Sequence, residues 1–176
     1  KNYMQTLKAA FKKATEHALN KKVSEVTFHA QKWIPGAFAS FHSDNSDEYG
    51  NPTAFERSKY SAFLYLNENF EGGELNFKNY PITIKPKTGM LLTFHGGFKN
   101  LHEVTVVKKS NRYTIGSFWD DRAEEDYPQD VRDKWAKELA ETRRLQEEQY
   151  KEWGAIRENK QRLLPNGKIV DELEVL

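Results

Sequence analysis

The chain has 176 residues, 27 basic and 26 acidic, for a formal net charge of +1. That length suits about one domain with a proper core. The charge balance gives no electrostatic case for nucleic acid or a membrane surface. Cysteine is absent, which excludes disulfides and zinc–thiolate sites and suits a reducing compartment. No apolar run reaches the length of a membrane span and no leader-like stretch opens the sequence, so the expected setting is cytoplasmic. Because the first residue is Lys1 rather than methionine, a preceding piece is allowed for.

Met4, Leu7, Phe11, Ala14 and Ala18 recur at steps of three and four, which predicts a helix over 3–19 with Asn2 at its start and Asn20 at its stop. From about residue 26 the period shortens. Eight β-type runs follow: 26–30, 38–42, 60–67, 74–77, 81–85, 90–95, 103–107 and 112–119. Pro35-Gly36, Phe70-Glu71-Gly72-Gly73, Pro86 to Gly89 and Gly96-Gly97 punctuate them as turns, and 45–58 reads as a loop. Short strands with closely spaced turns predict a jelly-roll-like double sheet or barrel.

After Trp119 the composition changes to Lys, Glu, Arg and Gln, with Pro128 where a helix can begin. Val131, Trp135, Leu139, Leu145, Trp153 and Ile156 form a ragged apolar stripe. One long surface helix, or two broken near Gly154, is the plain reading; a helical dimer contact is the sharper one. Asn166-Gly167 predicts a turn before a short tail. The predicted organisation is 1–125 as a mainly β domain with its N-terminal helix and 126–176 as a charged helical extension of that domain.

His42 and Asp44 flank one small residue at the end of a predicted strand, so alternation points both to one face. A third ligand comes from His95 or His102, and Arg112 lies ten residues after His102, which favours His102. Two imidazoles and one carboxylate with free positions beside them is the arrangement of non-haem Fe(II) oxygenases. His95 is then a rim residue, and His17 and His29 read as ordinary surface or packed histidines. Arg112 opens an otherwise apolar strand with Thr114 on the same face; a buried guanidinium there needs an anion, and a carboxylate ligand supplies one. Tyr65 is placed to add a phenol to that pocket.

With these residues the chain resembles the Fe(II)- and 2-oxoglutarate-dependent dioxygenases, in their prolyl and lysyl hydroxylase branch, from about 33 to 120. His42, Asp44, His102 and Arg112 match the family's H-x-D, distal histidine and basic residue, and Arg112 with Thr114 matches its R-x-S/T element. KYSAFLYLNENFEGGELNF at 59–77 is especially similar to prolyl 3-hydroxylases, while arginine stands where collagen prolyl 4-hydroxylases usually carry lysine. The resemblance implies a double-stranded β-helix (cupin-like) core and Fe(II) held by His42, Asp44 and His102. It also implies 2-oxoglutarate held by Arg112, Thr114 and Tyr65, O2 as oxidant and ascorbate as reductant. It implies a proline-containing peptide as substrate, met by Tyr49, Pro52, Phe55 and Arg57 of the 45–58 loop and by Trp119, in a monomer or homodimer. Three other readings remain at this point: a hydroxylase of a free amino acid, a nucleic-acid dealkylase, and a binding module with a vestigial site. Dealkylases carry a second arginine six residues after the first, where this chain has Phe118.

Overall fold

The computed structural model describes residues 3–158, 161–163 and 169–171. The chain divides into two compact units, Lys1–Pro128 and Gln129–Leu176. The first opens with α1 (Tyr3–Leu19), followed by β1 (Ser24–Trp33), β2 (Ala39–His42), β3 (Tyr60–Tyr65), β4 (Leu75–Phe77), β5 (Thr83–Ile84), β6 (Leu91–His95), β7 (His102–Val104) and β8 (Arg112–Asp120). All eight predicted runs are strands, most of them trimmed by one to three residues at an end, with β1 longer than expected.

These strands form two four-stranded sheets, ordered β1-β8-β3-β6 and β2-β7-β4-β5, with antiparallel pairing throughout. The chain crosses between sheets at every connection except β4 to β5, which gives the double-stranded β-helix expected. Strand β8 is central to the larger sheet, and its period of two decides what goes where. Ile115 and Trp119 face α1, in a core with Phe11, Val23, Tyr60 and Ala62. Arg112, Thr114, Gly116 and Phe118 lie on the opposite face, which looks toward the second sheet.

The helix packs on a different stripe from the one predicted. Phe11 and Thr15 are buried and Leu19 packs on the core, whereas Met4 and Leu7 are 55% and 38% exposed and Ala14 and Ala18 are exposed. Steps of four from Phe11 follow a single ridge, and Phe11 anchors it by stacking on Trp119 at 6.4 Å and meeting Phe28 edge-on at 5.4 Å. Asn20 ends the helix in the left-handed region, φ 49°, as a stop residue should; Asn2 lies outside the described residues.

In the second unit α2 (Gln129–Glu158) is one helix that runs through Gly154 without the break allowed for. Its exposed face carries Arg144 bridging Glu141 and Glu148 at 2.6 and 2.7 Å, solvent-screened pairs that add little to stability. Trp135 is buried and Leu145 is 52% exposed, so the stripe is ragged as read; the side chains of Trp153 and Ile156, and Asn166-Gly167, fall outside the described residues. A two-stranded antiparallel pair, β9 (Gln161–Leu163) with β10 (Ile169–Asp171), was not anticipated. Among the described residues no helix is long and apolar enough to cross a membrane.

Because Phe11 is sandwiched between Trp119 and Phe28, Phe11→Ala is expected to cost about 3–5 kcal/mol in a denaturant titration. Met4→Ala, on the helical stripe that the sequence alone suggested, is expected to stay within about 0.5 kcal/mol.

Candidate active site

Strand β2 ends at His42, which sits opposite His102 in the pairing of β2 with β7, past an irregularity that follows Ala39. The two rings lie 4.4 Å apart. Asp44 follows two residues later, held by its own N–H donating to the Gly96 carbonyl at 2.8 Å. Its oxygens stand 3.7 Å from Nε2 of His42 and 3.7 Å from Nε2 of His102, and the ligand atoms of all three lie within 4.8 Å of one another. A metal ion fits this group.

The hydrogen bonds on the far side of each ring fix its chemistry. Nδ1 of His42 meets the Ser40 carbonyl at 2.7 Å, and Nδ1 of His102 meets the Asn100 carbonyl at 2.9 Å. A carbonyl only accepts, so each Nδ1 carries a proton and each ring turns its Nε2 toward the shared point, as metal-binding histidines do. Burial pushes the His102 imidazole down, toward the neutral form, against the pull of Asp44. Phe94 meets the His102 ring at 4.8 Å and walls it in. His42 has 42% of its side chain exposed against 2% for His102, so the group opens to solvent on the His42 side.

Two residues that the sequence reading missed support Asp44. Ser61, on β3 and fully buried, donates its hydroxyl to Asp44 Oδ2. Gly96 leaves room for this: a Cβ there would meet the Ser58 carbonyl at 2.4 Å, Asp44 Cβ at 3.1 Å and Ser61 Oγ at 3.2 Å. The neighbouring His95 is exposed, stacks on Tyr60 at 4.6 Å and lines an open cleft of about 660 Å³ with Asn45, Tyr80 and Phe98. It is not part of the three-residue group.

Arg112, first residue of β8, is only 2% exposed. Its guanidinium lies between the rings of Trp33 and Tyr65, each 5.1 Å from Cζ. Neither its Nε nor the Tyr65 hydroxyl makes a well-formed hydrogen bond, although the hydroxyl and the guanidinium interact with each other, and no carboxylate pairs with Arg112 among the described residues. Burial lowers the Arg112 pKa and raises that of Tyr65, each eased by the other. Gly73, at φ +65°, brings bare backbone against the arginine stem; a Cβ there would lie 3.0 Å from Arg112 Cδ. The Phe70–Gly73 turn is thus part of this pocket. Fully buried Thr114 shares a 3.0 Å hydrogen bond with Gln31, another residue not anticipated.

Strand register ties the two ends together. Thr27, Phe118 and Ser61 form one rung across β1, β8 and β3; His29, Gly116 and Phe63 form the next; Gln31, Thr114 and Tyr65 the third; Trp33 and Arg112 the last. Ser61 touches the metal group and Tyr65 the guanidinium, four residues apart on one strand, a backbone distance of about 13 Å.

The residues expected to meet a substrate divide. Trp119 is fully buried under Phe11, on the face opposite Arg112, and belongs to the core: an odd-numbered position on β8 cannot share the face of Arg112 and Thr114. Arg57 is consumed internally, pairing with Asp120 at 3.4 Å and Glu124 at 2.5 Å. Tyr49 and Phe55 are 79% and 36% exposed. Their loop is internally tied: the Asp47 carboxylate accepts from the N–H of Tyr49 and Asn51 and from the Asn51 amide, and Gly50, at φ +88°, rests on the Phe98 ring.

Such a double-stranded β-helix, with two histidines and an aspartate at one end of its cavity and a lone buried arginine at the other, defines a class of metal- and oxo-acid-dependent oxygenases. The chain belongs to the 2OG-Fe(II) oxygenase superfamily, whose sequence pattern matches residues 26–120. Human prolyl 3-hydroxylase 2 is 36% identical over 86 residues, covering 42% of this chain and 12% of that protein. Prolyl 3-hydroxylase 1 of Gallus gallus is 39% identical over 69 residues, covering 36% of this chain and 10% of that protein. The chain thus spans about a tenth of the length of these relatives. A solved oxidoreductase of the 2OG-Fe(II) oxygenase family from Burkholderia pseudomallei shares the fold, with a TM-score of 0.52 and 15% identity over 63% of this chain and 50% of that one.

His42→Ala, Asp44→Ala and His102→Ala are each expected to lose Fe(II) binding in anaerobic titrations, while His95→Ala keeps it. Ser61→Ala removes only a hydrogen bond to Asp44 and is expected to weaken binding about 10–100-fold. Loss in His95→Ala with retention in His102→Ala would reverse the assignment.

Proposed function

We propose that this chain hydroxylates a prolyl residue within a polypeptide, using Fe(II), 2-oxoglutarate and O2. The observation that carries the reading is the buried Arg112 guanidinium without an acidic partner, on the larger sheet and facing the smaller sheet that carries His42 and His102. A buried charge is tolerated when an anion completes it, so the site asks for a dicarboxylate that reaches from a metal to an arginine.

In this reading His42 Nε2, His102 Nε2 and one Asp44 oxygen hold the metal. Fe(II) with its oxo acid and O2 supplies the oxidising chemistry. Arg112 takes the far carboxylate with a planar fork, and Trp33 and Tyr65 keep that fork flat and dry. Thr114 donates its hydroxyl hydrogen to Gln31 Oε1, so the donor this pair leaves for the carboxylate is the Gln31 amide N–H. Tyr65, whose hydroxyl lies beside the guanidinium without a well-formed hydrogen bond, offers another. Ser61 orients Asp44, and Phe94 and Phe118 keep water from the closed side. Tyr49 and Phe55 present aromatic surface to the substrate on a loop already held by Asp47, so an extended, proline-containing chain docks without ordering it.

Similarity to the prolyl 3-hydroxylases supports proline as the target. The test is anaerobic loading with Fe(II) and 2-oxoglutarate, then exposure to air with a peptide library. Proline-containing peptides are expected to gain one oxygen with matching succinate release. Hydroxylation of free proline as efficient as that of peptides would move the assignment to a small-molecule hydroxylase, and repair of methylated oligonucleotides with inert peptides would move it to a dealkylase. Arg112→Ala is expected to raise the 2-oxoglutarate requirement by about 100-fold while leaving Fe(II) affinity within about twofold, because only the charge partner is removed.

A further inference from the structure

The rung between the metal group and the guanidinium contains one polar side chain, His29, which the sequence presents as an ordinary packed histidine. In the pairing of β1 with β8 it lies opposite Gly116, and Phe63 completes the rung on β3. Gly116 makes space for it: a Cβ there would sit 2.9 Å from His29 Nε2, 3.2 Å from its Cε1 and 3.2 Å from Phe63 Cε1. The ring lies 5.9 Å from Phe118, whose rung holds Ser61, the hydrogen-bond partner of Asp44. His29 is half-buried, and neither of its ring nitrogens has a hydrogen-bond partner among the described residues. Burial lowers its pKa, which favours the neutral ring with one N–H and one bare nitrogen. Strand β1 is the outer strand of its sheet, so this ring stands on the open flank of the cavity.

The ring nitrogens of His29 are not among the sealed-off polar atoms, so its N–H is open to an acceptor that enters between the sheets. Resting on the proposed function above, the cavity occupant is 2-oxoglutarate. Its far carboxylate is served two rungs away by Arg112, and its central methylenes accept nothing. The oxygens of its metal-bound end are the acceptors one rung from His29. We propose that His29 is a co-substrate-binding residue that donates its ring N–H to an oxygen of the metal-bound end of 2-oxoglutarate, with Gly116 reserving the space for its ring.

The experiment is calorimetric titration of 2-oxoglutarate into the Fe(II)-loaded protein without oxygen, in the unaltered chain, His29→Leu and His29→Gln. Loss of one hydrogen bond is expected to weaken binding about tenfold in His29→Leu. His29→Gln, whose amide N–H reaches to about the place of Nε2, is expected to recover most of it. Fe(II) affinity measured before 2-oxoglutarate is added, and the thermal midpoint, are expected to be unchanged in both variants. Equal 2-oxoglutarate affinity in His29→Leu overturns the proposal, as does a loss confined to polypeptide substrate, which would put the ring against the substrate instead. A loss accompanied by weaker Fe(II) binding or lower stability, or one that glutamine does not recover, assigns the ring to packing and also overturns it. If the unaltered Fe(II)-loaded chain binds no 2-oxoglutarate at all, the proposed function falls and this inference with it.

Discussion

A guanidinium stripped of water and left without a carboxylate is the constraint around which this fold is arranged. Stacking of Arg112 between Trp33 and Tyr65 offsets part of the desolvation, on the order of 0.5–2 kcal/mol per ring. That is less than the several kcal/mol that removing an ion from water costs. Everything near it serves to hold the charge in place despite that deficit. Strand β8 is gripped on both sides by β1 and β3 along most of its length, and the backbone of Gly73 closes on the arginine stem. An anion seated against the guanidinium would relieve that cost.

The metal group depends on the same sheet. Strand β3 contributes Ser61 to Asp44 and Tyr65 to Arg112, so one continuous strand sets the distance between the two ends of the cavity. A slip of one residue in the pairing of β3 with β8 would turn Ser61 and Tyr65 away together. The core under α1 guards against that slip, because it engages the opposite face of the same residues' neighbours, Tyr60, Ala62 and Ile115. Packing on one face thus fixes chemistry on the other.

Much of this was legible in the sequence because strands announce themselves by alternation. The eight runs follow from local pattern, whereas His42, Asp44, His102 and Arg112 were singled out by spacing together with the family resemblance that spacing carries. What local pattern does not carry is pairing between distant strands, and that is why Ser61, Gln31 and Trp33 went unread: each acquires its role from a residue at least 17 positions away. Trp119 is a different matter. Its parity relative to Arg112 already placed it on the opposite face, and the aromatic character of the residue outweighed a rule that was in plain view. For α1, three- and four-step spacing matched two adjacent stripes, and only contact with Trp119 selects the one through Phe11 and Thr15. Arg57 looked free because Asp120 and Glu124, its partners, lie more than 60 residues further on.

The main-chain carbonyls of Ser40 and Asn100 that grip the two imidazoles have an effect reaching beyond orientation. Both rings are locked in place by backbone, not by the ion they would surround, so the coordination cage is finished before any metal arrives. Imidazole and carboxylate donors accept the later divalent ions of the first transition row more tightly than iron, and three such ligands do not by themselves reverse that order. Zinc, nickel and copper thus become natural competitive poisons of this protein.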